Sequence, residues 1–204
     1  MTLVKICGIT DLDTARTAVD AGADALGFVF APGRRRIAPD TARAIIRRLP
    51  PEVLTVGVFV DEDPETVQGI AAHCGLGALQ FHGRESPEYC RGFREKVIKA
   101  FGVGNASVRE LERAEEYPVW CLLLDTFSPG RPGGTGRVFD WRLIESLKFS
   151  RPVILAGGLN PGNVQAAIAA VRPYGVDVST GVETGGLKDP AKIRSFIKLA
   201  REAL

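Results

Sequence analysis

The chain has 204 residues, of which 45% are hydrophobic and 25% charged, and its formal net charge is +2. This length fits one domain with a sizeable core, and so small a charge argues against nucleic acid and membrane surfaces as partners. The N-terminus lacks the pattern of a signal peptide, and no apolar run reaches the ~18 residues that span a bilayer. We therefore expect a cytoplasmic protein with four reduced cysteines and, because its two histidines lack ligand spacing, no zinc site.

Short apolar runs alternate with longer amphipathic stretches along the whole chain. This alternation is typical of βα units around a parallel sheet. Strands are predicted at 3–7, 25–30, 54–60, 78–81, 97–102, 120–125, 152–156 and 175–178. Helices are predicted at 11–21, 40–49, 64–74, 86–94, 106–115, 140–147, 161–170 and 189–203. Eight such units indicate an α/β protein, a single (β/α)8 TIM barrel that forms one catalytic domain over residues 1–204; a doubly wound open sheet is the alternative.

Three of the predicted helices have a recognisable start. Asp63, Ser86 and Asn160 each precede a proline, which places a capping side chain before a proline at the first helical position. Glycines follow several of the strands and concentrate backbone freedom at the carboxyl-end rim of the barrel. That rim is where barrels of this kind carry their active sites.

The first predicted strand ends at Cys7. A free cysteine often serves as a small apolar filler, but at the carboxyl end of a barrel strand it is also a candidate base or nucleophile. Lys5 lies on the same face of the strand, with its ammonium about 6–7 Å below the sulfur. A positive charge at that distance favours the thiolate, so we expect Lys5 to lower the pKa of the Cys7 thiol.

The sixth predicted strand ends at Asp125, after three leucines. A carboxyl group at the end of such an apolar run is partly desolvated, which favours the protonated form that a general acid needs. The alternative is a carboxylate that caps a turn or pairs with a lysine. The glycine-rich loop 129–136 that follows is either a cover that excludes water from the barrel mouth or a mobile connection.

Small residues follow the seventh and eighth predicted strands. Gly157 and Gly158 come after the seventh, and Ser179 and Thr180 come after the eighth. Small side chains let backbone N–H groups approach a phosphate closely, and a helix N-terminus adds a favourable dipole. Because TIM barrels commonly hold phosphate in these two loops, we predict that these four residues bind one. Each turn alone also fits a purely structural role.

Four further polar residues are candidate substrate contacts. Arg35 and Arg36 belong to a run of three arginines after the second strand, which is either a solvated surface or a clamp for a substrate carboxylate. His82 follows the fourth strand and either hydrogen-bonds a substrate hydroxyl or stabilises the rim. Asp177 lies on the eighth strand, where it can bind a substrate hydroxyl or pair with Lys5 inside the barrel, and we expect it to combine the two roles.

Eight motifs, in this order, carry a resemblance to a known enzyme family. They are VKICGIT at 4–10, GADALGFVF at 22–30, VGVFV at 56–60, LQFHG at 79–83, LLLDT at 122–126, GGTGRVFDW at 133–141, LAGGLNPGNV at 155–164 and GVDVSTGVE at 175–183. The chain resembles the phosphoribosylanthranilate isomerases of tryptophan biosynthesis over essentially its whole length. The resemblance implies a barrel without metal or organic cofactor that acts on a small phosphosugar-anthranilate substrate. We expect a monomer or a homodimer.

By this resemblance, Cys7 is the general base and Asp125 the general acid of an Amadori rearrangement. Asp125 protonates the furanose ring oxygen, and Cys7 then removes the proton from C2′ of the sugar. The product is 1-(2-carboxyphenylamino)-1-deoxyribulose 5-phosphate. The family also has an arginine after the second strand. Counting back from Pro39 favours Arg35 for this position, but the loop is one residue shorter than in some relatives, which leaves Arg36 open.

Two other functions are open. One is a different phosphosugar isomerase or epimerase on the same barrel, although such an epimerase would need metal-binding histidines, of which this chain has too few. The related isomerase of the histidine pathway has an aspartate where Cys7 stands. The other is a non-catalytic protein that binds a phosphate ligand, and the presence of both Cys7 and Asp125 argues against it.

Overall fold

The computed structural model of the protein describes residues 1–103, 113–125 and 149–203. Within these ranges eight parallel strands close into a barrel in chain order, with the last strand pairing back to the first. The strands are β1 (Leu3–Cys7), β2 (Ala25–Val29), β3 (Leu54–Phe59), β4 (Ala78–Phe81), β5 (Lys96–Gly102), β6 (Cys121–Asp125), β7 (Val153–Ala156) and β8 (Gly175–Val178). The predicted TIM barrel is confirmed, and every predicted strand matches an observed one to within one residue at each end.

Helices surround the barrel. The described ranges contain α1 (Leu12–Asp20), α2 (Pro39–Ile46), α3 (Pro64–Cys74), α4 (Pro87–Arg91), α5 (Val164–Val171) and α6 (Pro190–Arg201). A 3₁₀ helix at Arg113–Glu116 overlaps the end of the helix predicted at 106–115. The rest of that helix, the helix predicted at 140–147 and the loop 129–136 lie outside the described residues. Helices α2 and α4 end three residues before the predicted positions, because Pro50 and Gly92 follow them.

Capping side chains fix the starts of two helices as predicted. The Asp63 carboxylate accepts a hydrogen bond from the Thr66 amide at 3.0 Å, at the start of α3. The Ser86 hydroxyl accepts one from the Tyr89 amide at 3.2 Å, at the start of α4. In both cases a proline at the first helical position lacks the N–H group that would otherwise need a partner.

The third predicted helix start is wrong. Helix α5 begins at Val164, three residues beyond the predicted 161. The side-chain oxygen of Asn160 accepts a hydrogen bond from the Gly162 amide at 2.8 Å, which closes a turn ahead of the helix. The Asn-Pro pair therefore marks a turn here, and the helix starts only after it.

The apolar side chains form two separate cores. An inner core fills the barrel with residues at alternate strand positions, among them Ala25, Val56 and Leu123. An outer core lies between the sheet and the helices and includes Leu26 and Leu122 from the intervening positions. The strands are therefore buried on both faces, which explains why they occur in the sequence as nearly continuous apolar runs.

Sequence analysis does not predict a small hairpin that follows β8. A 3₁₀ helix spans Thr180–Val182, and then β9 (Glu183–Thr184) pairs antiparallel with β10 (Leu187–Lys188). Gly185 and Gly186 form the turn with φ of 58° and 85°, a conformation that glycine adopts readily. Strands of two residues are too short for a period-two pattern to reveal them.

Arg201, at the end of α6, fastens this helix to the amino end of the barrel. Its guanidinium donates to the carbonyl oxygens of Thr2 at 2.6 Å and Gly22 at 2.8 Å, and to the Asp24 carboxylate at 2.7 Å. The same Asp24 oxygen accepts a hydrogen bond from the Val4 amide at 2.6 Å. Arg201 thus connects the last helix with β1 and with the start of β2.

We expect Arg201→Ala to lower the free energy of unfolding by about 1–3 kcal/mol, because partly buried carbonyl and carboxylate groups lose their donor. Urea unfolding followed by circular dichroism measures this change. Lys198→Ala on the same helix is the matched control, since the Lys198 side chain is 73% exposed and pairs only with Glu202 at 3.9 Å. Its effect should stay below about 0.5 kcal/mol. Equal losses in the two variants would contradict the role given to Arg201.

Candidate active site

Cys7 and Asp125 point into the barrel at its carboxyl end. Lys5 is in register with Ala25, a member of the inner core, and Cys7 lies two residues further along β1. Leu123 likewise belongs to the inner core, and Asp125 lies two residues further along β6. Because side chains alternate between the two faces of a strand, both groups face the interior. Each is the last residue of its strand.

Gly27 on β2 leaves the space in which the thiol lies. A Cβ atom at this position would stand 2.8 Å from Sγ of Cys7 and 3.2 Å from Nζ of Lys5. The thiol and the ammonium therefore both lie against the same glycine, on the face predicted for them. A larger residue at position 27 would displace one of the two groups.

Lys5 forms a buried ion pair with Asp177. Its ammonium donates to Oδ1 of the carboxylate at 2.9 Å, and the two side chains are only 0% and 9% exposed. Burial lowers the pKa of Lys5, but Asp177 and Cys7 together raise it above its ordinary value, so Lys5 is charged. Of the two roles considered for Asp177, the structure shows the pairing with Lys5.

Burial has the largest effect on the Cys7 thiol, and it raises the pKa of that group. The Lys5 ammonium lowers the same pKa, as expected, while the neighbouring Asp177 carboxylate raises it. The result is a pKa above the ordinary value of a thiol. The expectation that Lys5 makes Cys7 a thiolate therefore has the correct sign but is outweighed by burial and by the charge of Asp177.

His82 lies next to Asp125 at the mouth of the barrel. Its Nε2 is 3.5 Å from Oδ2 of Asp125, and the two side chains are 34% and 21% exposed. On the other side of the ring, Nδ1 is 3.4 Å from Nε2 of the buried Gln80. His82 thus stands between the candidate acid and an amide, at the surface that a ligand in the barrel mouth would reach.

The two predicted phosphate loops lie against each other. Gly157 and Gly158 have φ of 83° and 67°, a conformation that favours glycine. A Cβ atom at Gly181 would overlap the carbonyl oxygen of Leu159, so the loop after β8 packs directly on the loop after β7. The Ser179 hydroxyl donates to the carbonyl oxygen of Cys7 at 3.1 Å, which connects these loops to the candidate base.

Of the two candidate arginines, the structure brings Arg35 to the rim and leaves Arg36 exposed. Arg35 donates through Nε and Nη2 to the Glu183 carboxylate at 2.6 and 3.0 Å. Its Nη2 also donates to the Thr180 hydroxyl at 3.0 Å. Arg36 instead pairs through its backbone with Val29. The prediction that Arg36 is a substrate contact has no support from this placement, because its side chain faces solvent.

Sequence analysis misses two residues that hold this rim together, Glu183 and Lys188. Burial raises the pKa of Glu183, but hydrogen bonds and charges of Arg35 and Lys188 outweigh burial and bring it to about 2. Lys188 donates to Glu183 at 3.1 Å and to the carbonyl oxygen of Ser179 at 2.8 Å. Burial lowers the pKa of Lys188. The available signal was the acidic residue that ends the motif at 175–183.

A second buried ion pair organises the opposite part of the rim and is also missed. Lys99 on β5 pairs with Glu85 at 3.1 Å, and both side chains are almost fully buried. Glu85 also accepts hydrogen bonds from the amides of Asp61 at 2.9 Å and Gly83 at 2.9 Å. Lys99 donates to the carbonyl oxygen of Gly83 at 2.8 Å. This pair therefore fixes the loops that follow β3 and β4.

Two general properties of the described ranges bear on the site. No three or more His, Cys, Asp or Glu side chains within them come together in a way that would hold a metal ion. None of the helices in these same ranges combines the length and the apolar character needed to cross a membrane.

Comparison with known proteins places the chain in a family. Residues 4–199 match the model of the N-(5′-phosphoribosyl)anthranilate isomerases. An isomerase of that name from Moorella thermoacetica is 51% identical over 205 residues, covering 100% of this chain and 91% of its own length.

Two crystal structures of phosphoribosylanthranilate isomerases superpose on this fold. The enzyme from Thermotoga maritima is 50% identical with a TM-score of 0.90, over 99% of this chain and 100% of that one. A second, 45% identical with a TM-score of 0.84 over the same shares, contains reduced 1-(o-carboxyphenylamino)-1-deoxyribulose 5-phosphate. Together with the matching family model, these likenesses show that the chain belongs to the N-(5′-phosphoribosyl)anthranilate isomerase family.

Proposed function

We infer that this chain converts N-(5′-phosphoribosyl)anthranilate into 1-(2-carboxyphenylamino)-1-deoxyribulose 5-phosphate, a step of tryptophan biosynthesis. The activity is inferred from the chain's membership of the isomerase family. We propose Cys7 as the general base and Asp125 as the general acid. One observation supports these roles above the others: both side chains face the same interior from the carboxyl ends of β1 and β6.

The acid acts first. The Asp125 carboxyl group donates its proton to the furanose ring oxygen, so that the bond from this oxygen to C1′ breaks and an iminium forms at C1′. Asp125 suits this task because its side chain is 21% exposed and within reach of a ligand in the barrel mouth. His82 beside it is proposed to bind the acid and a substrate hydroxyl. A positioned acid of this kind contributes about 10²–10⁴-fold to the rate.

The base acts second. The Cys7 thiolate removes the proton from C2′, and the electron pair of the C–H bond neutralises the iminium to give an enolamine. Tautomerisation of the enolamine yields the ketose product, so that no electrons leave the substrate. Asp177 is proposed to hold Lys5 and a substrate hydroxyl at once, since a carboxylate accepts hydrogen bonds at two oxygens.

The substrate is proposed to be held at its two anionic ends. Backbone N–H groups around Gly157, Gly158, Ser179 and Thr180 suit the phosphate, because these loops pack together at the carboxyl-end rim. Arg35 suits the anthranilate carboxylate, because Glu183 and Thr180 hold its guanidinium at the rim while further N–H donors of the group remain for a ligand.

We further propose that residues 1–204 act as a single catalytic domain in the cytoplasm, as a monomer or a homodimer. A dimeric phosphoribosylanthranilate isomerase from Thermotoga maritima supports the second of these states. Decay of anthranilate fluorescence, with the substrate generated in situ, tests the activity itself. Absence of decay would favour the alternative of a non-catalytic phosphate-binding barrel.

We expect Cys7→Ala and Asp125→Asn each to lower kcat by about 10²–10⁴-fold, because each removes one positioned proton-transfer group. Steady-state fluorescence kinetics measure the loss, and binding of the reduced product should persist in both variants. Cys74→Ala is the matched control, since Cys74 is a buried thiol on α3 that donates to the carbonyl oxygen of Pro39. Normal turnover in Cys7→Ala would remove Cys7 from the mechanism.

A second prediction concerns the charge beside the thiol. Cys7 already has a raised pKa, and Lys5→Met removes the nearer of the two lysines that lower it, so the pKa should rise further. Alkylation of Cys7 by iodoacetamide, followed by mass spectrometry across pH, should therefore become slower at any given pH. The double variant Lys5→Met/Asp177→Asn avoids leaving a buried carboxylate without its partner, and its thiol pKa should rise less, because a group that raises this pKa is removed as well. Unchanged alkylation profiles in both variants would exclude an influence of Lys5.

A third prediction separates the two arginines. Arg35→Lys should raise KM by about 10- to 100-fold with a smaller change in kcat, because a lysine cannot make the paired hydrogen bonds of a guanidinium. Arg36→Lys is the matched control on the next residue and should leave both constants near the wild-type values. A larger effect at Arg36 than at Arg35 would reverse the assignment.

A further inference from the structure

Gln80 is a polar side chain in a place that otherwise holds apolar ones. It lies on β4 inside the barrel and is 1% exposed. The residues in register with it on both neighbouring strands are Val58 on β3 and Ile98 on β5, which offer no hydrogen-bonding side chains. Burying an amide in such surroundings costs free energy unless the amide finds a partner.

The partner is the ring of His82. Nε2 of Gln80 is 3.4 Å from Nδ1 of His82, whereas Oε1 of Gln80 has no hydrogen-bond partner among the residues that the structure describes. An amide nitrogen only donates, so Nδ1 of His82 is the acceptor and the ring proton is on Nε2. That nitrogen is the one 3.5 Å from Oδ2 of Asp125.

A Gln80 amide turned the other way round, with its oxygen towards His82, is less favourable. With Oε1 of Gln80 turned towards His82, the ring proton would move to Nδ1 and the lone pair of Nε2 would face the Asp125 carboxylate. Two acceptors at this distance repel each other once Asp125 has given up its proton, whereas an Nε2–H group can donate to the protonated and to the ionised carboxyl group alike. The orientation of Gln80 is therefore coupled to the hydrogen bond that Asp125 can make.

We propose that Gln80 is a positioning residue for the acid half of the reaction. It fixes His82 as the tautomer with its proton on Nε2, and this N–H group holds the carboxyl group of Asp125 in place at the barrel mouth. The inference extends the proposed function, because it takes Asp125 as the group that donates the proton. Gln80 itself touches neither the substrate nor the reacting atoms in this scheme.

Nitrogen NMR of the histidine rings tests the tautomer directly. The chain has only two histidines, so a long-range ¹H–¹⁵N spectrum of protein labelled at histidine shows two rings. At about pH 8.5, where an ordinary histidine is neutral, the protonated and bare nitrogens of each ring are well separated. The variant His73→Asn assigns the two sets of signals.

His73 supplies an internal reference for the tautomer with its proton on Nε2. Its Nδ1 is 3.2 Å from Nη1 of Arg43, which only donates, and its Nε2 is 2.7 Å from Oδ1 of Asp40. Its ring proton is therefore also on Nε2, but for reasons independent of Gln80. The His73 signals should stay constant in every variant at position 80, which also reports that the protein is folded.

We expect His82 to show the Nε2–H tautomer in the wild type and a larger share of the Nδ1–H tautomer in Gln80→Met, which keeps the length of the side chain but lacks the donor. Gln80→Glu should place a proton on Nδ1, because a carboxylate accepts there, and so give either the Nδ1–H tautomer or, with Asp125 on the other side, the doubly protonated ring. The value of kcat should fall about tenfold in Gln80→Met, the size of one lost hydrogen bond, with KM little changed.

A double-mutant cycle completes the test. In a His82→Asn background, Gln80→Met should cost nothing further in kcat, because Gln80 acts only through the ring. A wild-type His82 ring with its proton on Nδ1, or a tautomer that Gln80→Met does not change, would overturn the proposal. An altered tautomer with unaltered kcat would overturn it as well. If Asp125→Asn kept full activity, the proposed acid would be wrong while the tautomer result stood unchanged.

Discussion

The carboxyl-end half of this barrel depends on the ion pair between Lys5 on β1 and Asp177 on β8. The pair joins the first and last strands at the point where the sheet closes. The Lys5 ammonium lies 2.9 Å from Oδ1 of Asp177, and both side chains are buried. A buried charge without a partner is strongly destabilising, so neither strand can shift its register by one residue without exposing that cost. Because strand side chains alternate, fixing Lys5 inside the barrel also fixes Cys7 inside it, two residues further on.

Ion pairs also stabilise the remainder of the rim. Glu85 with Lys99 and Glu183 with Lys188, Arg34 and Arg35 are likewise carboxylates paired with cations within or beside the barrel. Apolar packing at these positions would be at least as stable. The charged pairs, however, fix loops that a ligand must reach. Around Glu183 the cations exceed the carboxylate, which leaves positive charge beside Ser179 and Thr180, where the phosphate is proposed to bind.

The sequence predicts those parts of the structure that repeat. The strands are recognisable because each is buried on both faces, and the barrel follows from their number. Its carboxyl-end residues then include Cys7, Asp125 and Arg35. Features made by a single contact between distant segments are not predictable in this way. Gln80 does not differ in sequence from a surface amide, and Glu183 is marked only by its place at the end of a motif; the fold alone places them against His82 and Arg35. The helix start predicted at Asn160 is wrong for a related reason, because a turn and a helix cap use the same residue types.

The difference in surroundings between Cys7 and Asp125 matches the difference in their proposed tasks. The Cys7 residue is 8% exposed and its thiol has a raised pKa, whereas the Asp125 side chain is 21% exposed and lies beside His82. A raised pKa makes the thiolate scarcer, but each thiolate that forms is a stronger base. Full stabilisation of the thiolate by Lys5 would weaken it. Burial prevents that first, and Asp177, which takes a hydrogen bond from Lys5 and adds a negative charge beside the thiol, acts in the same direction. The ion pair that holds the strands in register therefore also contributes, after burial, to the strength of the proposed base.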